Sequence, residues 1–392
     1  MRPAVAVLAL ICALLGAVAA IGIGRATGLV GAETTKTVIV REQAAAPNAP
    51  ASVRTVAPTL APGFSPAAIF ARRSPGVVTV FSYFGGTAAQ GSGFVVSSSG
   101  AILTNAHVIT NAGETNGAVR PASSVYVEFS DHDRVPARIV GWDVFDDVGV
   151  LHVAPSAHPL VAIPLGRSAS VVVGEPVAAI GSPLGNLDTL AVGIVSAVHR
   201  SIAALTNPRF QLSDAIQTDA PIAHGSSGGP LLDARGRAIG ITAQIRTDQG
   251  GAVGIGFAVP IDSARRSLEA LLTKGSISYA YAGVQTEDLT PSLARHLQLP
   301  VEHGALVDTV SAGGPAAAAG LRGGTREEQF QGQTVSAGGD VIVAVNGRPV
   351  ADAAALVRIV TTLKPGQTVV FAVVRGHAHR TIAVTLAARA PR

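Results

Sequence analysis

Three short segments hold residue types that could together perform acyl transfer. Thr104-Asn105-Ala106-His107-Val108 puts a histidine at the end of a predicted strand, and Asp146-Asp147-Val148-Gly149-Val150-Leu151 leads an acid into an apolar strand. Gly225-Ser226-Ser227-Gly228-Gly229-Pro230 sets serines in a glycine-rich tight turn. Each alone has an ordinary explanation. The chain has ten histidines, and one at a strand end is more often structural. An Asp before an apolar run is usually a turn or a cap, and most Gly/Ser turns are only turns. In the order His, Asp, Ser the three fit one mechanism. A serine hydroxyl is a poor nucleophile until a base takes its proton. Histidine, with an unperturbed pKa of about 6.5, can accept and return that proton near neutrality. An acid then fixes the imidazole tautomer and stabilises the imidazolium. The glycines permit a turn tight enough for the amides of Gly225, Ser226 and Ser227 to converge where an oxyanion would form. Loss of one such donor typically costs ~10²–10³ in rate.

Composition removes competing chemistries. The 392 residues include a single Cys, Cys12, so no internal disulfide, cysteine metal site or thiol nucleophile exists beyond it. No cofactor or metal is implied. The net charge is +4, and basic residues are scattered with no aromatic interleaving, which argues against nucleic acid as a partner. Gly (44) and Pro (24) exclude a coiled coil, while abundant Val, Ile and Leu exclude bulk disorder.

These segments need a scaffold, and residues 63–275 read as one made of short strands. Runs such as Gly93–Val96, Ala101–Val108, Val125–Phe129, Val148–Val153, Val177–Ile180, Gly193–Val198, Ala238–Ala243 and Gly254–Val259 alternate with turn sequences such as Ser182-Pro183-Leu184-Gly185. Strands without intervening helices argue for an antiparallel barrel or sandwich. One helix closes the region, with Ile261, Ala264, Leu268, Leu271 and Leu272 on a face and Gly275 as its stop. Upstream, 42–62 has Ala or Pro at eleven of 21 positions and reads as an extended tether within 26–62. Residues 4–24 carry no charge and lie between Arg2 and Arg25, long enough as a helix (roughly 30 Å) to cross a bilayer. A signal-anchor over 1–25 is one reading. A cleaved signal peptide ending near Ala17-Val18-Ala19 is the other. Both place the rest of the chain outside the cytoplasm.

Together with Gln217-Thr218-Asp219-Ala220, the three segments resemble the HtrA (Deg) serine proteases from about residue 64 to the C-terminus. The resemblance implies a mainly β fold with a trypsin-like pair of six-stranded barrels, His107 as general base, Asp147 as its orienter and Ser227 as nucleophile. The family motif sets the acid directly before the apolar strand, hence Asp147 over Asp146. His224 reads as a loop residue. Gly149 and Ser226 stand where the family often has Ala and Asn. Ser226 also lacks the carboxylate with which digestive relatives pair a new N-terminus, so no activating cleavage is expected. By the same resemblance Arg200, in Val198-His199-Arg200-Ser201, is the candidate sensor. Residues 245–253 would form the loop over the primary specificity pocket. Ile222 and the apolar run containing Ile255 suggest small aliphatic residues before the scissile bond.

Residues 278–389 resemble a bacterial PDZ domain through Tyr281-Ala282-Gly283-Val284, Gly314-Pro315-Ala316 and Gly339-Asp340-Val341-Ile342-Val343-Ala344-Val345-Asn346-Gly347. Such domains add a C-terminal peptide as a strand and bind its carboxylate on loop amides. Here Ala282, Gly283 and Val284 would offer that loop, and the helix would span Asp352 to Leu363. The polar insert 324–338 reads as a surface loop. The resemblance also implies a homotrimer built from the segment before the first strand, with Phe64 and Phe70 as candidate contacts. The whole would be a membrane-tethered, extracytoplasmic quality-control endopeptidase acting on unfolded proteins and switched by C-terminal peptides. The alternative is a peptide-binding holdase or adaptor whose barrel is only a scaffold.

Overall fold

The computed structural model describes residues 63–112, 118–182, 189–203, 211–223, 225–243 and 255–389. The expected membrane segment and tether, the loop at 245–253 and His224 lie outside the described residues. Among the described residues no helix is long and apolar enough to cross a membrane.

Helix α1 (Pro66–Arg73) is capped by Ser65, whose hydroxyl accepts from the Ala68 amide at 3.4 Å. There follow β1 (Val77–Phe84), β2 (Thr87–Val95), β3 (Ala101–Thr104), α2 (Ala106–Ile109), β4 (Ser124–Glu128), β5 (Arg134–Asp143) and β6 (Val148–His152). The six strands close into an antiparallel barrel in the order β1-β2-β3-β6-β5-β4. The next six are β7 (Pro176–Gly181), β8 (Thr189–Ala203), β9 (Gln211–Thr218), β10 (Pro230–Leu232), β11 (Ala238–Ala243) and β12 (Gly256–Pro260). They close a second barrel along the same path, β7-β8-β9-β12-β11-β10.

Strand patterning shows how the barrels join. On β4, exposed residues alternate with buried Val125 and Val127, as a strand with one wet face requires. On β3 and β6 both faces are apolar, because they look into different cores. Ile102 and Leu151 point into the first barrel, whereas Leu103, Val148 and Val150 join a core shared with Ala178, Ile180, Leu232 and Ile241 of the second. Helix α3 (Ile261–Lys274) seals that shared core with Ile261, Ala264 and Leu271, and Gly275 ends it at φ +69°. Leu272, expected on the same face, is half exposed. Phe64 is buried in the shared core, so its assignment as an intersubunit contact is corrected: it packs within its own chain. Phe70 is only partly buried there.

The remaining elements are β13 (Ala280–Tyr281), β14 (Val284–Leu289), α4 (Pro291–His296), β15 (Gly304–Val310), α5 (Pro315–Ala319), β16 (Arg326–Phe330), β17 (Gln333–Ala337), β18 (Val341–Val345), β19 (Arg348–Pro349), α6 (Ala353–Thr361), β20 (Thr368–Arg375), β21 (Ala378–Thr385) and β22 (Ala387–Ala388). The main sheet runs β14-β15-β18-β20-β21, which leaves β14 at an edge. Helix α6 is shorter than expected and is capped by Asp352, which accepts from the Ala355 amide at 2.6 Å. The insert expected as a loop is a hairpin, β16 paired with β17. Its turn sets Gln331 at φ +50° and Gly332 at +81°, the positive pair a two-residue hairpin turn favours. Polar faces hid it from the pattern reading.

One ion pair braces this domain. Asp340 is fully buried, accepts from Arg375 Nε at 2.6 Å and Nη2 at 2.8 Å, and also takes the Arg322 amide at 2.9 Å. Replacing Arg375 by Leu strands a buried carboxylate, at a cost of about 3–5 kcal/mol. Chemical denaturation of the full chain should show the loss in the transition that reports residues 280–388. An unchanged transition would remove this pair from the domain's stability.

Candidate active site

Strand β3 ends at Thr104, and the chain turns at once into α2, so His107 sits on a short helix and not at a strand end as expected. The turn is driven by the loop before β6. Asn105 Nδ2 donates to the Asp147 carbonyl at 2.8 Å, and the Ala106 amide donates to the same oxygen at 3.3 Å. Asp147 itself lies at φ +50°, a region few non-glycine residues occupy. Its carboxylate then faces back to the helix: Oδ1 accepts from the His107 amide at 3.1 Å and Oδ2 lies 2.8 Å from His107 Nδ1. A carboxylate can only accept, so the imidazole proton sits on Nδ1 and Nε2 presents a lone pair. Gly149 is tight for a larger residue: a Cβ would come within 2.8 Å of Ile109 Cδ1 and 2.9 Å of the Asn105 carbonyl.

Electrostatics at this pair oppose one another. Burial, the largest influence, pulls the His107 pKa down. The negative charge and hydrogen bond of Asp147 outweigh it and leave the imidazole above its ordinary 6.5. Asp146 turns away from His107 and faces Tyr279 and Arg266.

The serine turn is sewn to both barrels. Gly225 and Gly228 bracket it at φ +94° and +93°. The Ser92 amide on β2 donates to the Ser227 carbonyl at 2.7 Å, and the buried Ser92 hydroxyl donates to the Gly225 carbonyl at 2.7 Å. The same hydroxyl accepts the Ser182 amide at 2.9 Å. From β11, the Thr242 hydroxyl donates to the Ser226 carbonyl at 2.6 Å. A Cβ at position 228 would overlap the Ser92 carbonyl oxygen, so glycine is required there on two counts. The turn also approaches α2: a Cβ on Gly91 would sit 2.6 Å from Val108 Cγ2 and 3.0 Å from the Ser227 carbonyl. Ser227 itself is 7% exposed.

One expectation for this turn is corrected. The Ser226 amide donates to the Ala223 carbonyl at 3.0 Å, so it is spent within the turn and does not converge with its neighbours. Gly225 and Ser227 are the amides left as candidates for the oxyanion.

Ile222 is half-buried against Gly256 and packs with the second barrel's interior, whereas Ile255 is 51% exposed. Arg200 on β8 donates from Nε to Gln217 Oε1 at 3.1 Å across to β9. Asp214 on β9 holds His199 Nδ1 at 2.6 Å and faces Arg358 of α6 at 3.8 Å. In the C-terminal domain Gly283 takes φ +80°, the Ala282 carbonyl accepts the Ala316 amide at 2.8 Å, and the Gly283 carbonyl accepts the Ser311 amide at 2.9 Å. Val284 opens the edge strand β14, paired to Val310. Sequence reasoning missed Ser92 and Thr242. Ser92 had a signal in the flanking Gly91 and Gly93, which mark close backbone approach; Thr242 had none.

A trypsin-like peptidase domain model matches residues 91–241, and a PDZ domain model matches residues 280–386. A Synechocystis sp. protein named as the serine protease HhoA is 39% identical over 281 residues, 70% of this chain and 64% of that protein. A Halomonas elongata protein named as a DegP-like periplasmic serine endoprotease is 37% identical over 296 residues, 76% of this chain and 56% of that protein. The chain thus spans less than two thirds of the length of these relatives. The structure of the HtrA-type protease AlgW with a tripeptide superposes with a TM-score of 0.69 at 32% identity, covering 84% of this chain and 98% of that one.

Proposed function

This chain belongs to the HtrA family of serine proteases, and on that premise we propose that it is an extracytoplasmic serine endopeptidase whose triad is His107, Asp147 and Ser227. The observation that carries this reading is the 2.8 Å bond from His107 Nδ1 to Asp147 Oδ2, on the barrel whose β2 also holds the Ser227 turn. Ser227 Oγ attacks the scissile carbonyl carbon while His107 Nε2 takes its proton. The negative carbonyl oxygen is received by the Gly225 and Ser227 amides. Asp147 stabilises the imidazolium, which then protonates the leaving amine as the C–N bond breaks. Water, deprotonated by the same imidazole, releases the acyl group and restores the serine.

A general base must be neutral, so activity should rise with pH through the His107 pKa. Because that pKa is raised, the acid limb of kcat/KM is expected at a midpoint above 6.5. A pH–rate profile on a peptide substrate checks this; a midpoint below 6.5 would contradict the dominance of Asp147 over burial.

We assign residues 63–275 to the protease and 278–389 to peptide capture. Ile222 favours small aliphatic residues before the cut, with Ile255 as the more exposed partner. A peptide would add as a strand on the free edge of β14, beside α6, with its carboxylate at Ala282-Gly283-Val284. Arg200 is the relay candidate for this signal. The periplasmic naming of relatives supports an extracytoplasmic location; a membrane anchor at residues 4–24 and a homotrimer, with Phe70 and not Phe64 as candidate contact, complete the proposal. The test is cleavage of unfolded casein by the full chain, with and without a hydrophobic C-terminal peptide. Stimulated cleavage after Ala or Val is expected. Cleavage after Arg or Lys would overturn the specificity, and no peptide effect would overturn the switch.

A further inference from the structure

The turn that aims Asp147 is itself built around a buried group of acids with no part in the mechanism above. Asp143 closes β5, and Val144 to Asp147 form the turn into β6. Asp143 is 1% exposed; its Oδ1 accepts the Phe145 amide at 3.0 Å, and its Oδ2 accepts the Ser267 hydroxyl of α3 at 2.7 Å. The Tyr279 hydroxyl, from the segment just before β13, lies 2.5 Å from Asp143 Oδ2 and 2.8 Å from Asp146 Oδ2.

A phenol has one proton to donate, and ionised carboxylates only accept. With both acids ionised, that single proton lies between two acceptors and holds them together; when one carboxyl is protonated, the phenol donates to one acid and accepts from the other. The charges facing them are Arg266 on α3, whose Nη2 is 3.5 Å from Asp146 Oδ2, Asp214 on β9, whose negative charge also bears on Asp146, and Asp147 next in the chain. Arg389 lies with its guanidinium 4.6 Å over the Phe145 ring, and that ring meets Tyr279 edge-on at 5.3 Å. The Arg389 amide also donates to the Tyr279 carbonyl at 2.8 Å, beside the β13–β22 pair.

We propose that Tyr279 is a positioning residue for catalysis: by bridging Asp143 and Asp146 with its hydroxyl, it locks the turn that points Asp147 at His107 and ties that turn to the terminal strands of the C-terminal domain. The inference rests on the proposed triad. Burial, reinforced by the charge of Asp146, lifts the Asp143 pKa to about 6, which places loss of its carboxyl proton in the range where the enzyme would work. Once Asp143 has lost its proton, the phenol is the neutral donor between two carboxyl groups. Asp147 needs this brace because its own backbone sits at positive φ.

The test is Tyr279→Phe in the full chain, assayed on a peptide substrate from pH 5.5 to 8.5. The ring remains to pack against Phe145, and only the bridging hydroxyl is lost. At pH 8 kcat is expected to fall about 10- to 100-fold with KM unchanged, since a misplacement of about 1 Å costs that much. The deficit should narrow below pH 6, where a protonated carboxyl can close directly on its neighbour. Tyr279→Phe with Asp146→Asn should recover most of the loss at pH 8, because an amide donates to Asp143 without charge. Wild-type kcat in Tyr279→Phe, or a deficit independent of pH and not rescued by the added Asp146→Asn substitution, would overturn the proposal. Ser227→Ala in parallel separates the two readings: if that variant still cleaves, the triad fails, whatever Tyr279 does.

Discussion

Replacing Ser227 by alanine is expected to reduce kcat on unfolded casein by about 10⁶-fold, to the level left by binding and the oxyanion site alone. With the hydroxyl gone, no nucleophile remains for His107 to activate, and Cys12 cannot substitute, being the only thiol and far upstream. The turn itself should survive. Its shape comes from Gly225 and Gly228 and from bonds that Ser92 and Thr242 make to backbone carbonyls, none of which uses the Ser227 hydroxyl. Thermal unfolding should therefore shift by no more than about 1 kcal/mol in stability. An inactive, folded variant that still binds hydrophobic C-terminal peptides is the expected combination. Undiminished cleavage would refute the assignment and favour the holdase alternative, with any proteolysis traced to a contaminant.

Asp147→Asn should produce the next largest loss, about 10⁴-fold in kcat. The substitution is nearly isosteric, so the side chain can stay in place. Its amide, however, can donate to His107 Nδ1, which favours the tautomer with the proton on Nε2 and removes the lone pair that must accept from Ser227. The imidazolium also loses its anionic partner. Burial then acts on His107 unopposed, and the acid limb should move down in pH as well as in height. A full pH–rate profile separates the two effects. Loss of rate with the acid limb unmoved would mean that Asp147 orients the ring without raising its pKa.

The candidate site was legible because its chemistry demands rare local sequence. Gly228 shows why: a Cβ there would overlap the Ser92 carbonyl, and its φ is +93°, so glycine follows directly from the required backbone. The barrels were legible as strands, but not as two closed sheets. Strands β3 and β6 read only as apolar runs, and their two faces serve separate cores that no local pattern distinguishes. Phe64 was misread for the same reason. Its role as a subunit contact came from the family resemblance, and the core of its own chain that receives it is visible only in the fold. The hairpin at 326–337 escaped notice because it has few apolar residues to signal it, and its buried ones, Val335 and Ala337, stand among polar neighbours.

The exclusion of cysteine, the presence of a His, Asp and Ser in turn-rich settings, the glycines of the serine turn and the position of Gly275 after α3 were all determined by sequence alone. Each is a question of which residue type can occupy a backbone conformation or carry out a chemical step. Tertiary structure decided the rest: that His107 stands on a helical turn, that the Ser226 amide is spent on Ala223, and that Tyr279, 132 positions beyond Asp147, clasps the turn that aims it. These are distances between groups remote in the chain. They follow from how the barrels share a core and how the C-terminal domain's first residues return to it, and neither has a local signature.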